Sequence, residues 1–153
     1  MKKLQLYWWV LAGILGNVNL VASNIFVTNT NNSGAGSFQN AVNLAFNDPS
    51  QNTIRFDLPP GSIIYPTDQI WMQGNGDIID GQLIGTQERI IFDGINFNLG
   101  DAWALIVNCS SCTVQNVEMR NFSYTAMGVW EVSDILLRDN VLYGNKTGIQ
   151  VDG

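Results

Sequence analysis

Short runs in which apolar residues alternate with polar ones recur from residue 24 onward. Asn24 to Thr28, Thr53 to Phe56, Ile63 to Tyr65, Ile70 to Met72, Ile78-Ile79 and Ile90 to Phe92 each read as a short strand, since a period of two matches the pleat of an extended chain. Further on, Leu105, Val107 and Cys109 alternate with Ile106 and Asn108, Val117 and Met119 flank Glu118, and Val141 and Tyr143 flank Leu142. One segment departs from this period. Phe38, Ala41, Val42, Ala45 and Phe46 fall at helical spacing, with Ser37 placed as N-cap and Asp48-Pro49 as the stop. The connecting stretches Asn29 to Gly36, Pro59-Pro60-Gly61, Gln73 to Asp77 and Gly85 to Arg89 are rich in Gly, Asn and Pro, the residues that bend a chain.

The strand pattern carries a longer period. Phe92 to Phe97, Val114 to Met119 and Leu137 to Tyr143 align with one another, at 22 residues from Phe92 to Val114 and 23 from Val114 to Leu137. Met119 to Tyr143 extends the drift to 24. A second alignment sets Val107 to Val114 against Trp130 to Leu137, which places Trp130 inside with Val107 and Val132. Gly148-Ile149-Gln150-Val151 begins a further turn. A drifting period near this length marks a solenoid built of stacked strands. A sandwich would bring strands back at shorter intervals, without the matched longer repeat. Gly94, Asn116 and Asn140 recur before the second strand of each unit. These residue types accept a left-handed bend, and stacked Asn side chains can also bond along the stack. The expected fold is therefore all-β: a right-handed parallel β-helix with a short N-terminal capping α-helix. Residues 24–60 form the cap (strand, amphipathic helix, strand), and residues 61–153 form the turns.

The repeat resembles the right-handed parallel β-helix proteins of the pectin-lyase-like superfamily. Val27 to Val42, with its Gly36-Ser37 helix start, followed by Asn52-Thr53-Ile54-Arg55-Phe56-Asp57, is similar to the N-terminal entry of secreted bacterial β-helix proteins. Such proteins commonly carry Leu-Arg after the Ser, where this chain has Phe38-Gln39. The resemblance implies an architecture shared by lyases, hydrolases, epimerases and adhesins. For the lyases it implies calcium held by acidic residues, with an Arg or Lys base. For the glycosidases it implies clustered Asp on neighbouring turns.

The N-terminus adds a destination. Lys2-Lys3, an apolar stretch from Leu4 to Leu15 and a small-residue site at Val21-Ala22-Ser23 read as a bacterial-type signal peptide spanning residues 1–23. Asn17 and Asn19 interrupt the apolar run before it reaches the ~20 residues of a membrane span. The expected location is secreted, extracellular or cell-surface. Loss of Lys2 and Lys3 leaves five basic against thirteen acidic residues, a net charge of 5 − 13 = −8. That argues against a nucleic-acid partner, and against the simple electrostatic capture of acidic polysaccharides unless calcium bridges the two. No histidine is present, which excludes Ser-His and Cys-His catalysis within the chain. Cys109 and Cys112 fall on the apolar phase and align with Val132 and Ile135, so a core or local-disulfide role outweighs a redox motif. Sequons begin at Asn31, Asn108, Asn121 and Asn145, and bacterial export implies that they stay unmodified. The chain stops at Val151-Asp152-Gly153 in a strand. This reads either as the N-terminal part of a longer protein or as an end that self-associates.

Candidate chemistry is sparse. Neighbouring turns lie only ~4.8 Å apart, so stacked carboxylates would split their pKa values into an acid and a base. By the repeat, Glu118 sits between Asn96 and Leu142, and no carboxylate column forms. Asp93 reads as a turn residue. A polar outward column of Asn108, Glu131 and Gln150 can hydrogen-bond a sugar, and Trp103 and Tyr124, on the loops between turns, can stack on one. The expectation is a structural or binding role toward a polysaccharide or cell-surface component, with calcium as a possible cofactor. The alternative is a polysaccharide lyase or glycoside hydrolase whose catalytic residues lie largely beyond Gly153.

Overall fold

The computed structural model describes residues 22–153. The elements run β1 (Ser23–Val27), α1 (Phe38–Asn47), β2 (Asn52–Phe56), β3 (Ile63–Ile64), β4 (Ile70–Met72), β5 (Ile78–Leu83), β6 (Ile91–Asp93), β7 (Trp103–Val107), β8 (Thr113–Gln115), β9 (Glu118–Arg120), β10 (Thr125–Trp130), β11 (Leu136–Arg138), β12 (Val141–Tyr143) and β13 (Thr147–Asp152). They form three parallel sheets: β1-β2-β5-β8-β11, then β3-β6-β9-β12, then β4-β7-β10-β13. The chain visits the three sheets in rotation and so winds a β-solenoid of about five turns. The signal peptide expected at residues 1–23 lies outside the described residues, apart from Ala22 and Ser23. Ser23 opens β1 and donates its hydroxyl to Asn52 Oδ1 at 2.6 Å.

Each sheet contributes inward columns to one core. Ile25, Ile54, Ile79, Val114 and Leu137 are successive partners in the first sheet. Ile64, Phe92, Met119 and Leu142 stack in the second, and Ile70, Leu105, Met127 and Ile149 in the third. No turn encloses an apolar interior by itself, so each rung is stable only against its neighbours. At one end α1 closes the stack against β1, β2 and β4. Ser37 caps it by accepting from the Asn40 N–H at 3.2 Å. Phe38 leads its buried face, its ring 5.6 Å from Phe56 and 4.9 Å from Phe92. The helix stripe is narrower than its spacing suggests. Phe46 is 55% exposed, at the edge of the buried face made by Phe38, Ala41, Val42 and Ala45.

The register corrects the sequence alignment in two places. Phe92 does not stack on Val114 but lies between Ile64 and Met119, while Val114 lies between Ile79 and Leu137. Of the three strands in each later turn the first two are short and separated by a sharp corner (β8 and β9, β11 and β12), so similar apolar patterns recur within one turn and can be matched to the wrong strand. The turn holding β5 to β7 is also long, 35 residues from Ile79 to Val114 against 23 from Val114 to Leu137. Glu118 pairs with Val141 and Arg120 with Tyr143, so Leu142 points inward while Val141 and Tyr143 point out. The drift to 24 is absent.

The corners are left-handed, at Asn116 as expected and otherwise at positions shifted from those expected. Gly76, Ser111 and Asp134 have φ of 79°, 60° and 60° ahead of β5, β8 and β11. Asn116 and Asp139 take φ of 57° and 55° between the first and second sheets. Gly94 and Asn140 have no positive φ. Gly94 instead starts a 3-10 turn, and Asn140 braces the rung below. Its Oδ1 accepts from the Val117 N–H at 3.1 Å, and its Nδ2 donates to the Val114 carbonyl at 2.9 Å. Asn145 repeats this one corner later, on Phe122 and Met119. Cys109 and Cys112 are joined in a disulfide buried in the core, beside the partly buried Val132 and Ile135 of the next turn.

Candidate functional site

The outward column of the third sheet reads Trp71, Ile106, Gly128, Gln150 from rung to rung. Ile106 is only 2% exposed yet lies outside the inner core, because aromatic rings cover it from the solvent side. Trp71 stands beside it on β4. Trp130, the next outward residue of β10, leans back so that its ring centroid comes within 5.6 Å of that of Trp71, at 51° between planes. Trp103 lies flat across Gly128, where a Cβ would overlap its ring. A bare glycine at this rung lets an indole settle onto the sheet surface. These three are all the tryptophans of the described residues.

Together they enclose an open cleft of about 330 Å³ with Ile106 as its floor and Ala102, Gln69, Asp101 and Asp152 around them. The aromatic walls are held by polar contacts. Gln69 Nε2 donates to the Trp103 carbonyl at 3.1 Å, and Asn108 Nδ2 donates to the Trp130 carbonyl at 2.9 Å. Gln150 accepts from Thr125 Oγ1 at 3.0 Å and donates to Asp152 Oδ2 at 3.2 Å. On the opposite rim Lys146 Nζ approaches Asp101 at 3.8 Å and sits 4.5 Å above the Tyr124 ring.

The residues singled out by sequence reach this region in different ways. Trp103 lines the cleft, as part of β7 rather than of a loop. Tyr124 stands on the flank beneath Lys146. The column of Asn108, Glu131 and Gln150 does not exist as a column. Asn108 lies beside Trp130, Gln150 pairs with Gly128, and Glu131 has passed the end of β10 into a left-handed bend at φ 51°. For Asn108 and Glu131 the physical reason is a register of 22 between β7 and β10, seen from Val107 to Val129, where the alignment used 23; Gln150 likewise falls 22 residues from Gly128, three residues before Glu131. The same one-residue shift turns Trp130 outward, 39% exposed, instead of inside. Alternation alone could have found it, since Met127 and Val129 point in. Trp71 was legible too, flanked by the inward Ile70 and Met72.

A second polar grouping lies outside the second sheet. Asp93, Arg120 and Tyr143 occupy successive rungs. Arg120 Nε donates to Asp93 at 2.8 Å, and Tyr143 donates its hydroxyl to Glu118 at 2.8 Å. Asp93 is a turn residue as expected, accepting from the Ile95 N–H at 3.1 Å, but it also accepts from Asn121 at 3.0 Å. Burial disfavours its charged form, and the bonds from Asn121, Arg120 and Ile95 outweigh that, so its pKa is lowered. Asp80 follows the same logic: burial works upward, and Asn116, the Gln82 N–H and Arg55 draw it below the usual range. These carboxylates are held charged as structural acceptors. Asp77 is the opposite case. Burial pushes it up, its Oδ1 takes the Asn52 N–H at 2.8 Å, and its Oδ2 has no partner. It is sealed under α1 at 1% exposure, away from both outer faces.

Among the described residues no three His, Cys, Asp or Glu side chains gather closely enough to hold a metal ion. No helix there is long and apolar enough to cross a membrane. No known protein family, curated protein or solved structure matches the chain.

Proposed function

We propose that this protein is an exported carbohydrate-binding β-solenoid, directed by residues 1–23 to the cell exterior, where the third sheet's tryptophan cleft receives a sugar. The observation that carries the reading is the convergence of Trp71, Trp103 and Trp130 over Ile106 on an outer face. An exposed apolar patch rimmed by polar groups is the usual form of a ligand groove. Indole faces suit the apolar faces of sugar rings, while Gln69, Asp101 and Asp152 are placed to bond hydroxyls at the edges. We further infer kinship of architecture with the pectin-lyase-like proteins, on the strength of the stacked three-sheet winding.

Binding is favoured over hydrolysis by the state of the carboxyls. A glycosidase needs one carboxyl held protonated at a surface site. The carboxyl driven upward here, Asp77, is beneath the cap, whereas Asp80 and Asp93 are driven downward.

The test is affinity electrophoresis of the protein through gels containing soluble polysaccharides, comparing the parent with Trp130→Ala. Covering roughly 60 Å² of apolar ring contributes about 1.5 kcal/mol, so the variant should bind about tenfold more weakly. Equal retardation of the two proteins, with circular dichroism unchanged, would remove the cleft from the account.

A further inference from the structure

We infer that the cleft selects an uncharged glycan and discriminates against uronate chains; this rests on the carbohydrate-binding reading above. The charged side chains lining it are Asp101 and Asp152, both acidic. All five basic residues of the described chain are committed elsewhere. Arg55 pairs with Asp80 and Arg120 with Asp93. Arg89 donates to the Asp139 carbonyl and Arg138 to Gln115. Lys146, the nearest to the cleft, is held at its rim between Asp101 and the Tyr124 ring. A uronate seated on the indoles would bring its carboxylate toward Asp152 and Asp101, with the one nearby cation, Lys146, already shared between Asp101 and the Tyr124 ring, and like charges at such range repel. Among the described residues no third His, Cys, Asp or Glu side chain joins Asp101 and Asp152, so a bridging calcium would have to draw its further ligands from the uronate and from water.

The same carboxylates do not point to a cationic amino sugar. Asp101 already faces Lys146, and Asp152 accepts from Gln150. Partly satisfied carboxylates retain lone pairs for hydroxyl donors, which suits neutral sugars whose apolar faces lie on Trp71, Trp103 and Trp130.

The experiment is calorimetric titration of the full chain at low salt with three sets of hexamers: uncharged gluco-, manno- and galacto-oligomers, oligogalacturonate with and without calcium, and oligoglucosamine. Binding of an uncharged oligomer, at least about tenfold tighter than oligogalacturonate, is expected. The gap should narrow as salt is raised and on Asp101→Asn/Asp152→Asn substitution, which leaves the aromatic surface intact. Tighter binding of oligogalacturonate or oligoglucosamine overturns the charge selection. If that binding is still lost in Trp71→Ala, the cleft itself stands. Failure of every oligomer to bind, or binding unaffected by Trp71→Ala, overturns the cleft and the selection together.

Discussion

Asp77 is the residue whose environment is least forgiving. Its carboxyl is 1% exposed, one oxygen has no partner, and burial raises its pKa above 3.8. The folded state therefore favours the protonated form more than the unfolded chain does. This contribution to stability is present below the unfolded value and is lost as pH rises through the raised folded value. Asp80 and Asp93 run the other way. Their folded values lie below 3.8, so what they contribute is present above it and lost as pH falls. Asp77→Asn removes the charge and keeps an oxygen for the Asn52 N–H. It should raise the melting temperature at neutral pH, and the gain should shrink as the solution is acidified through the carboxylate range. Thermal unfolding of both proteins across that range checks it. A melting temperature lowered equally at every pH would mean that the charged carboxylate is not the source of the cost.

At the scale of elements, the corners do as much as the strands. Asn140 ties the rung above to the rung below through two hydrogen bonds, to Val117 and Val114. Asn140→Ala leaves a backbone donor and a carbonyl without those partners, at a cost of about 1–3 kcal/mol. Asn140→Asp keeps the acceptor and restores only the Val117 bond. Urea unfolding should rank the parent above Asn140→Asp and that above Asn140→Ala; no loss in either variant would show the ladder to be ornamental. These corners also explain what sequence could and could not reveal. The winding was legible from alternation, because Ile79, Val114 and Leu137 must all face one interior. The helix was legible from Ser37 and its spacing. Register was not, because one residue more between Val129 and Leu137 than between their partners Val107 and Val114 is absorbed by the bend through Glu131 to Asp134, with φ of 51° and 60° at its ends, and leaves no mark on composition. The cleft was lost for that same reason. Trp103 was visible as a candidate, but placing Trp130 one residue out of phase hid the pairing with Trp71 that makes a site.

For the molecule as a whole, stacking makes stability a matter of position along the axis. The end under α1 is sealed by Phe38, Phe56 and Phe92, and Met119 in the middle is 1% exposed. On the last rung of this chain Leu137 and Leu142 are only partly buried, and Ile149 and Val151 are exposed. Each rung gains from two neighbours except the outermost. In a polypeptide that ends at Gly153, opening should therefore begin at β11 to β13 and progress toward the cap, through states of rising free energy. In hydrogen exchange, protection should fall in the order β7, β10, β13 within the third sheet. Truncations offer an independent reading. Met119→Ala removes a fully enclosed side chain and should cost about 2–5 kcal/mol. Leu142→Ala, one rung further out in the same column, should cost clearly less. Uniform protection along the axis with equal costs for the two variants would describe a single cooperative unit, and would require the last rung to be covered in solution by something that restores its missing neighbour.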